Sequence, residues 1–190
     1  NAGVLSLLAG NWLRMMATLR QASIAHGDLQ HGNILVVNGD FKLIDYDGMF
    51  VPSLAGRGSH EVGHSNYQHP SRAASDFGPY LDNFSSWVIY LSFLALRLEP
   101  QLWQRIQSAG DDRMLFSKDD FENPDFSEAL RVIGRANDPQ IQSLVAAIRA
   151  YARLSDISQV PPLAEFSVEP PVEETTIQPP SADWIKDHVR

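Results

Sequence analysis

The chain of 190 residues carries 15 Lys and Arg against 23 Asp and Glu, a net charge of −8, with 44% hydrophobic residues and no cysteine. The acidic balance argues against a surface for nucleic acid or an anionic membrane, while the missing cysteine rules out disulfides, thiolate nucleophiles and cysteine zinc sites and fits a reducing cytoplasm. The apolar content is sufficient for one domain of this length, which buries roughly 70% of its unfolded surface.

The chain opens at Asn1 directly in a helical pattern and is therefore expected to be part of something longer. From about residue 3 to 22, Val4, Leu8, Trp12, Met15, Met16 and Leu19 recur at helical spacing, so one face of a long helix is expected to be buried. The stretch HGDLQHGNILVVNGDFKLIDYD follows, from His26 to Asp47. Two short apolar runs, Ile34 to Val37 and Phe41 to Ile44, flank Asn38-Gly39-Asp40 and predict a β-hairpin. Asp40 is then a turn residue. Asp28, Asn33 and Asp45 fall around this hairpin. Asn and Asp are common turn formers, but this trio also matches what phosphoryl transfer needs: a carboxylate that takes the acceptor's proton, and a carboxylate and an amide oxygen for Mg²⁺.

Residues 48–80 are rich in Gly, Ser, His and Pro, too long for a plain connection, and end in GHSNYQHPSR. His60, His64 and His69 lie four and five residues apart, a spacing open to a metal site but more readily explained by hydrogen-bonded or solvated imidazoles. Asp82 or Asn83 is an N-cap for DNFSSWVIYLSFLAL, apolar round nearly its whole circumference and so central to the domain; Pro100 stops it. Trp12, Trp87, Tyr90 and Phe93 read as core, as do Trp103 and, with its hydroxyl partnered, Tyr46. Asp47 reads as a turn cap before Gly48.

Further helices are expected at about Pro100 to Ser108, Phe126 to Ala136 and Pro139 to Leu154, with a loop from Phe116 to Pro124. The longest apolar run, Trp87 to Leu96, is interrupted by Ser92 and is too short to span a bilayer, and these residues show no signal-peptide pattern. From about 155 to 190 the periodicity stops and Pro-Pro recurs at 161, 170 and 179, the mark of an extended linker; Trp184, Ile185 and Val189 lie on a possible docking turn.

HGDLxxxNIL followed by KLIDYD resembles the catalytic and magnesium loops of the protein-kinase superfamily, HRDxxxxN and DFG. Gly63, Tyr67 and Pro70 are in register with GTxxYxxPE, and Asp82, Phe84 and Ser85 with the DxWS opening of that fold's central helix. With IDYDGMFVP, the motifs are similar to kinase-like proteins associated with bacterial tellurium-resistance and stress-response gene clusters. The resemblance covers about residues 1–154 and implies a C-terminal kinase lobe, mainly α with one small hairpin, followed by the Pro-rich tail.

By position, the resemblance implies that Asp28 is the catalytic base, Asn33 and Asp45 the Mg²⁺ ligands that present ATP, and His26 a packing residue. Asp82 would hydrogen-bond the catalytic-loop backbone, and residues 61–72, with Gly63, Tyr67 and Pro70, would form the activation segment that presents a protein Ser or Thr. Gly27 replaces the usual arginine, Gln30 a common lysine, and Ser71 a glutamate, so the segment needs a different anchor. The 190 residues contain no Gly-rich loop, strand lysine or helix glutamate of an N-terminal lobe, so this chain alone is expected to bind ATP weakly and to be inactive. Two other readings stay open: a non-catalytic scaffold that binds a partner protein through its acidic surface and tail, and a small-molecule kinase of the aminoglycoside or choline type. The GxxxYxxP segment placed directly before the central helix speaks against the latter.

Overall fold

The computed structural model describes residues 1–59, 61–106 and 112–163. The fold is mainly helical with one two-stranded antiparallel sheet. Helix α1 spans Ala2–Gln21 and is opened by the Asn1 side chain, which accepts from the Gly3 N–H. Leu8, Ala9, Trp12 and Met16 form its buried face; Val4 is 51% exposed, because the inward stripe begins a turn later. Strands β1 (Ile34–Val37) and β2 (Asp40–Leu43) pair with Val37 opposite Asp40, closed by Asn38 and Gly39, both at positive φ. Asn11 of α1 donates to Gly39 O at 2.7 Å, and Trp12 meets Phe41 edge-on at 5.4 Å, so the hairpin is held against α1.

Helix α2, Asn83–Leu98, is the axis of the molecule: 13 of its 16 residues are buried, from Phe84 to Leu96. Around it pack α1, where Trp12 Nε1 donates to Ser86 O at 3.1 Å, and α6 (Pro139–Tyr151), where Trp87 meets Tyr151 at 5.3 Å. The short helices α3 (Leu102–Ile106), α4 (Lys118–Glu122) and α5 (Glu128–Ile133) close the rest. A second small cluster joins Ala25, Phe50, Leu81 and Ile157, and a single bridge pairs Ala25 with Phe50 on either side of the hairpin.

Three sequence expectations are corrected. The stretch from Phe116 to Pro124 is not a plain loop: Ser117 and Asp120 form a reciprocal capping box that starts α4, and Phe121 is buried between Phe84 and Phe116. Trp103 is 42% exposed, because in so short a helix the neighbouring Leu102 takes the inward position. Tyr46 is 54% exposed, its hydroxyl donating to Leu43 O rather than to a core partner. Asp82 stands at the N-cap of α2 as expected, and its carboxylate serves the His26–Asp28 loop rather than the helix N–H groups.

The packed chain runs past the end of the helical pattern near 154. Ile157, Val160 and Leu163 are buried, Asn83 Nδ2 donates to Val160 O at 2.7 Å, and Trp87 Nε1 donates to Pro161 O at 2.8 Å. His60, residues 107–108 of the expected third helix, and the tail with its later Pro-Pro pairs and Trp184 lie outside the described residues. No helix among the described residues is long and apolar enough to cross a membrane.

Candidate functional site

α1 ends at Gln21, and the chain turns through Ser23 and the Ala25–Phe50 bridge into His26, Gly27 and Asp28. This loop is fixed from below by Asp82. One carboxylate oxygen accepts the His26 N–H at 2.5 Å and the other accepts the Gly27 N–H at 2.8 Å. Burial pushes the Asp82 carboxyl up from its ordinary range, while the two backbone N–H groups, His26 and Arg72 pull it back. The His26 ring is buried, with Nε2 2.9 Å from Ile44 O, which ties the loop to the end of the hairpin.

Gly27 has φ +83, and a Cβ there would lie 2.2 Å from Gly48 O. The position tolerates no side chain. Gly63 is bound in the same way: at φ +79 an added Cβ would meet Gly27 O at 2.8 Å and Asp28 Oδ1 at 2.9 Å. Only a glycine lets residues 61–72 press onto the loop.

Asp28 is half-buried, and donors surround its carboxylate. Oδ1 accepts the His64 N–H at 2.6 Å; Oδ2 accepts Gln30 Nε2 at 3.0 Å and Asn33 Nδ2 at 2.9 Å. Asn33 sits in a 3₁₀ turn, His31–Asn33, and its Nδ2 also reaches Asp28 O at 3.0 Å. With the amide nitrogen engaged twice, the side-chain oxygen is the end left for a ligand. Asn33 O accepts the Ile44 N–H at 3.0 Å, so the residue before Asp45 is joined to both Asn33 and His26. Asp45 is exposed and holds φ +63, an uncommon conformation for a non-glycine that puts its carboxylate at a sharp corner of the chain.

Asp28, Asn33, Asp45, His26 and Asp82 are thus gathered in one loop system. Among the described residues no hydrogen bond is made to Asn33 Oδ1 or to the Asp45 carboxylate, oxygen donors of the kind Mg²⁺ takes. Among the described residues no group of three or more His, Cys, Asp and Glu is arranged to hold a metal ion. No family model matches the chain, and no curated protein matches it.

The segment before α2 is anchored at several points. Tyr67 is buried, its hydroxyl accepting the Met114 N–H at 2.9 Å and lying 2.7 Å from His31 Nδ1; burial pushes the phenol well above its ordinary range. His69 Nε2 donates to Tyr151 O at 2.8 Å, its Nδ1 accepts the Ser71 N–H at 3.0 Å, and Ser71 Oγ donates to Leu154 O at 3.2 Å. Gln68 Nε2 donates to Gly27 O at 3.3 Å, and Asn66 Oδ1 accepts the Lys118 N–H at 2.9 Å. Pro70 is half-buried in this run. His64 and His69 point to different partners, Asp112 and Tyr151, so the histidine spacing does not gather a ligand set among the described residues.

Nothing in the sequence marks Arg72. Its three guanidinium nitrogens are buried without a hydrogen-bond partner, and burial lowers its pKa against the fields of Asp76, Asp82, Tyr80 and Asp28. Its charge faces the carboxylates that organise the loop. His31 and Asp112 were equally silent in the sequence, because their partners lie far along the chain.

Proposed function

We propose that the chain is the catalytic-loop half of a protein kinase that transfers the γ-phosphoryl of ATP to a Ser or Thr hydroxyl. The observation that carries the reading is the arrangement around Asp28: a carboxylate oriented by Asn33 and Gln30 on one oxygen and by the activation-segment N–H of His64 on the other. A base held in this way on a loop that Asp82 fixes is suited to receive a hydroxyl proton. Such a group typically contributes about 10²–10⁴-fold in rate.

Asn33 and Asp45 fit a hard cation by chemistry, offering an amide oxygen and a carboxylate free of hydrogen bonds among the described residues. Mg²⁺, when bound there with ATP, would neutralise the phosphate charge. The chain's own contributions are the base, the metal-side oxygens and the segment that would seat the acceptor, with Gly63 permitting its approach to Asp28. The contact from Asp82 to the loop backbone supports this reading, because it is what the resemblance implies for that position.

Asp45→Ala in the full-length protein should abolish Mg²⁺-dependent phosphate transfer, measured as acid-stable phosphate on protein. Asn33→Ala should reduce it. Undiminished transfer by Asp45→Ala would end the metal assignment. Transfer to a small hydroxyl or amino metabolite in place of protein would move the reading to a small-molecule kinase.

A further inference from the structure

Three separate segments meet at one carboxylate beside the loop. Asp112 Oδ1 lies 3.2 Å from His31 Nε2, and Asp112 Oδ2 lies 3.4 Å from His64 Nε2. The second nitrogen of each ring determines which protons are present. His64 Nδ1 accepts the Asn66 N–H at 3.2 Å, so the proton of this ring is on Nε2. His31 Nδ1 faces the Tyr67 hydroxyl at 2.7 Å; that oxygen already accepts the Met114 N–H, and burial keeps the phenol protonated, so Tyr67 donates to Nδ1. Both rings therefore present Nε2–H to the same carboxylate.

The rings are held against rotation as well, His31 stacked on Tyr67 at 5.8 Å and His64 edge-on to it at 5.7 Å. Asn66 Nδ2 donates to Asp112 O at 3.3 Å, so the segment is held to residue 112 a second time. His31 follows Asp28 in the loop, and the His64 backbone N–H is the donor to Asp28 Oδ1 at 2.6 Å. Fixing the two imidazoles relative to one another fixes that N–H over the carboxylate.

We propose that Asp112 is a positioning residue: by holding the Nε2–H groups of His31 and His64 together, it keeps the backbone N–H of His64 on Asp28 and so sets the orientation of that carboxylate. The role for Asp28 rests on its reading as the base; the latch does not. An asparagine offers one acceptor where two donors need two, so Asp112→Asn should release one ring. The Asp112 side chain is 72% exposed, and contacts at exposed carboxylates are weak, so the effect expected is roughly two- to fivefold.

The experiment is amide hydrogen exchange by NMR on the 190-residue chain. In Asp112→Asn the His64 amide should exchange about two- to fivefold faster, while the His26 and Gly27 amides, held by Asp82, keep their protection. Asp112→Glu should restore part of the His64 protection. Unchanged His64 exchange overturns the proposal, and so does equal acceleration at His26 and Gly27, which would mean general loosening. In the full-length protein, Asp112→Asn should lower kcat for phosphate transfer with the KM for ATP unchanged; the reverse pattern overturns the positioning role. A wild-type protein without transfer would refute the Asp28 assignment, and the exchange contrast would still decide the latch.

Discussion

The loop that carries Asp28 depends on one buried carboxylate whose two oxygens each take a backbone N–H. Asp82→Asn presents one oxygen and one NH₂ to two donors, so either the His26 or the Gly27 N–H is left facing another donor. We expect a loss of about 3 kcal/mol in urea unfolding, with exchange of the His26 and Gly27 amides accelerated. A neutral effect would mean that the carboxylate does not hold the loop. His69 supplies a pH dependence at the same scale. Burial lowers its pKa below 6.5, so between the folded-state value and 6.5 the unfolded chain binds more protons and stability falls on acidification. Wild type should therefore lose more stability between pH 7.5 and 5.5 than His69→Gln, as read from unfolding midpoints. Such residue-level contacts were only partly legible in the sequence. The resemblance points to Asp82, but nothing local marks Asp112 or Arg72, whose neighbours are brought together only by the fold.

The elements themselves were legible wherever periodicity was long. The apolar circumference of α2 places it at the centre, and Leu91, with no exposed surface, is one of its inward residues. Leu91→Ala should cost about 2–5 kcal/mol by transfer and cavity together, checked by urea denaturation. The hairpin follows from Asn38-Gly39 between two apolar runs. Short elements were harder to read: α4 spans only five residues, and its capping box uses Asp120 where the usual signal is Glu or Gln. Tyr46 and Trp103 show the other limit, since an aromatic next to a sharp corner or in a single-turn helix has no period to say which way it faces.

At the scale of the molecule, the helices converge on α2, and its first residues hold the loop on one side and residues 157–163 on the other. The chain beyond the last helical pattern therefore contributes to the domain. Ending the chain after Leu154 removes Ile157, Val160 and Leu163 from the core and leaves Asn83 Nδ2 and Trp87 Nε1 without their acceptors. Such a truncation should lower the unfolding temperature by several degrees, whereas ending after Leu163 should preserve these contacts. Equal melting temperatures for the two would contradict the packing described.

The role proposed for Asp28 as a catalytic base is decided by the rate of γ-phosphoryl transfer from Mg²⁺-ATP to Ser or Thr by the full-length protein and its Asp28→Asn variant. The isosteric amide cannot accept the hydroxyl proton, so the rate should fall by about 10²-fold or more with the variant still folded. Equal rates in the two proteins would contradict it.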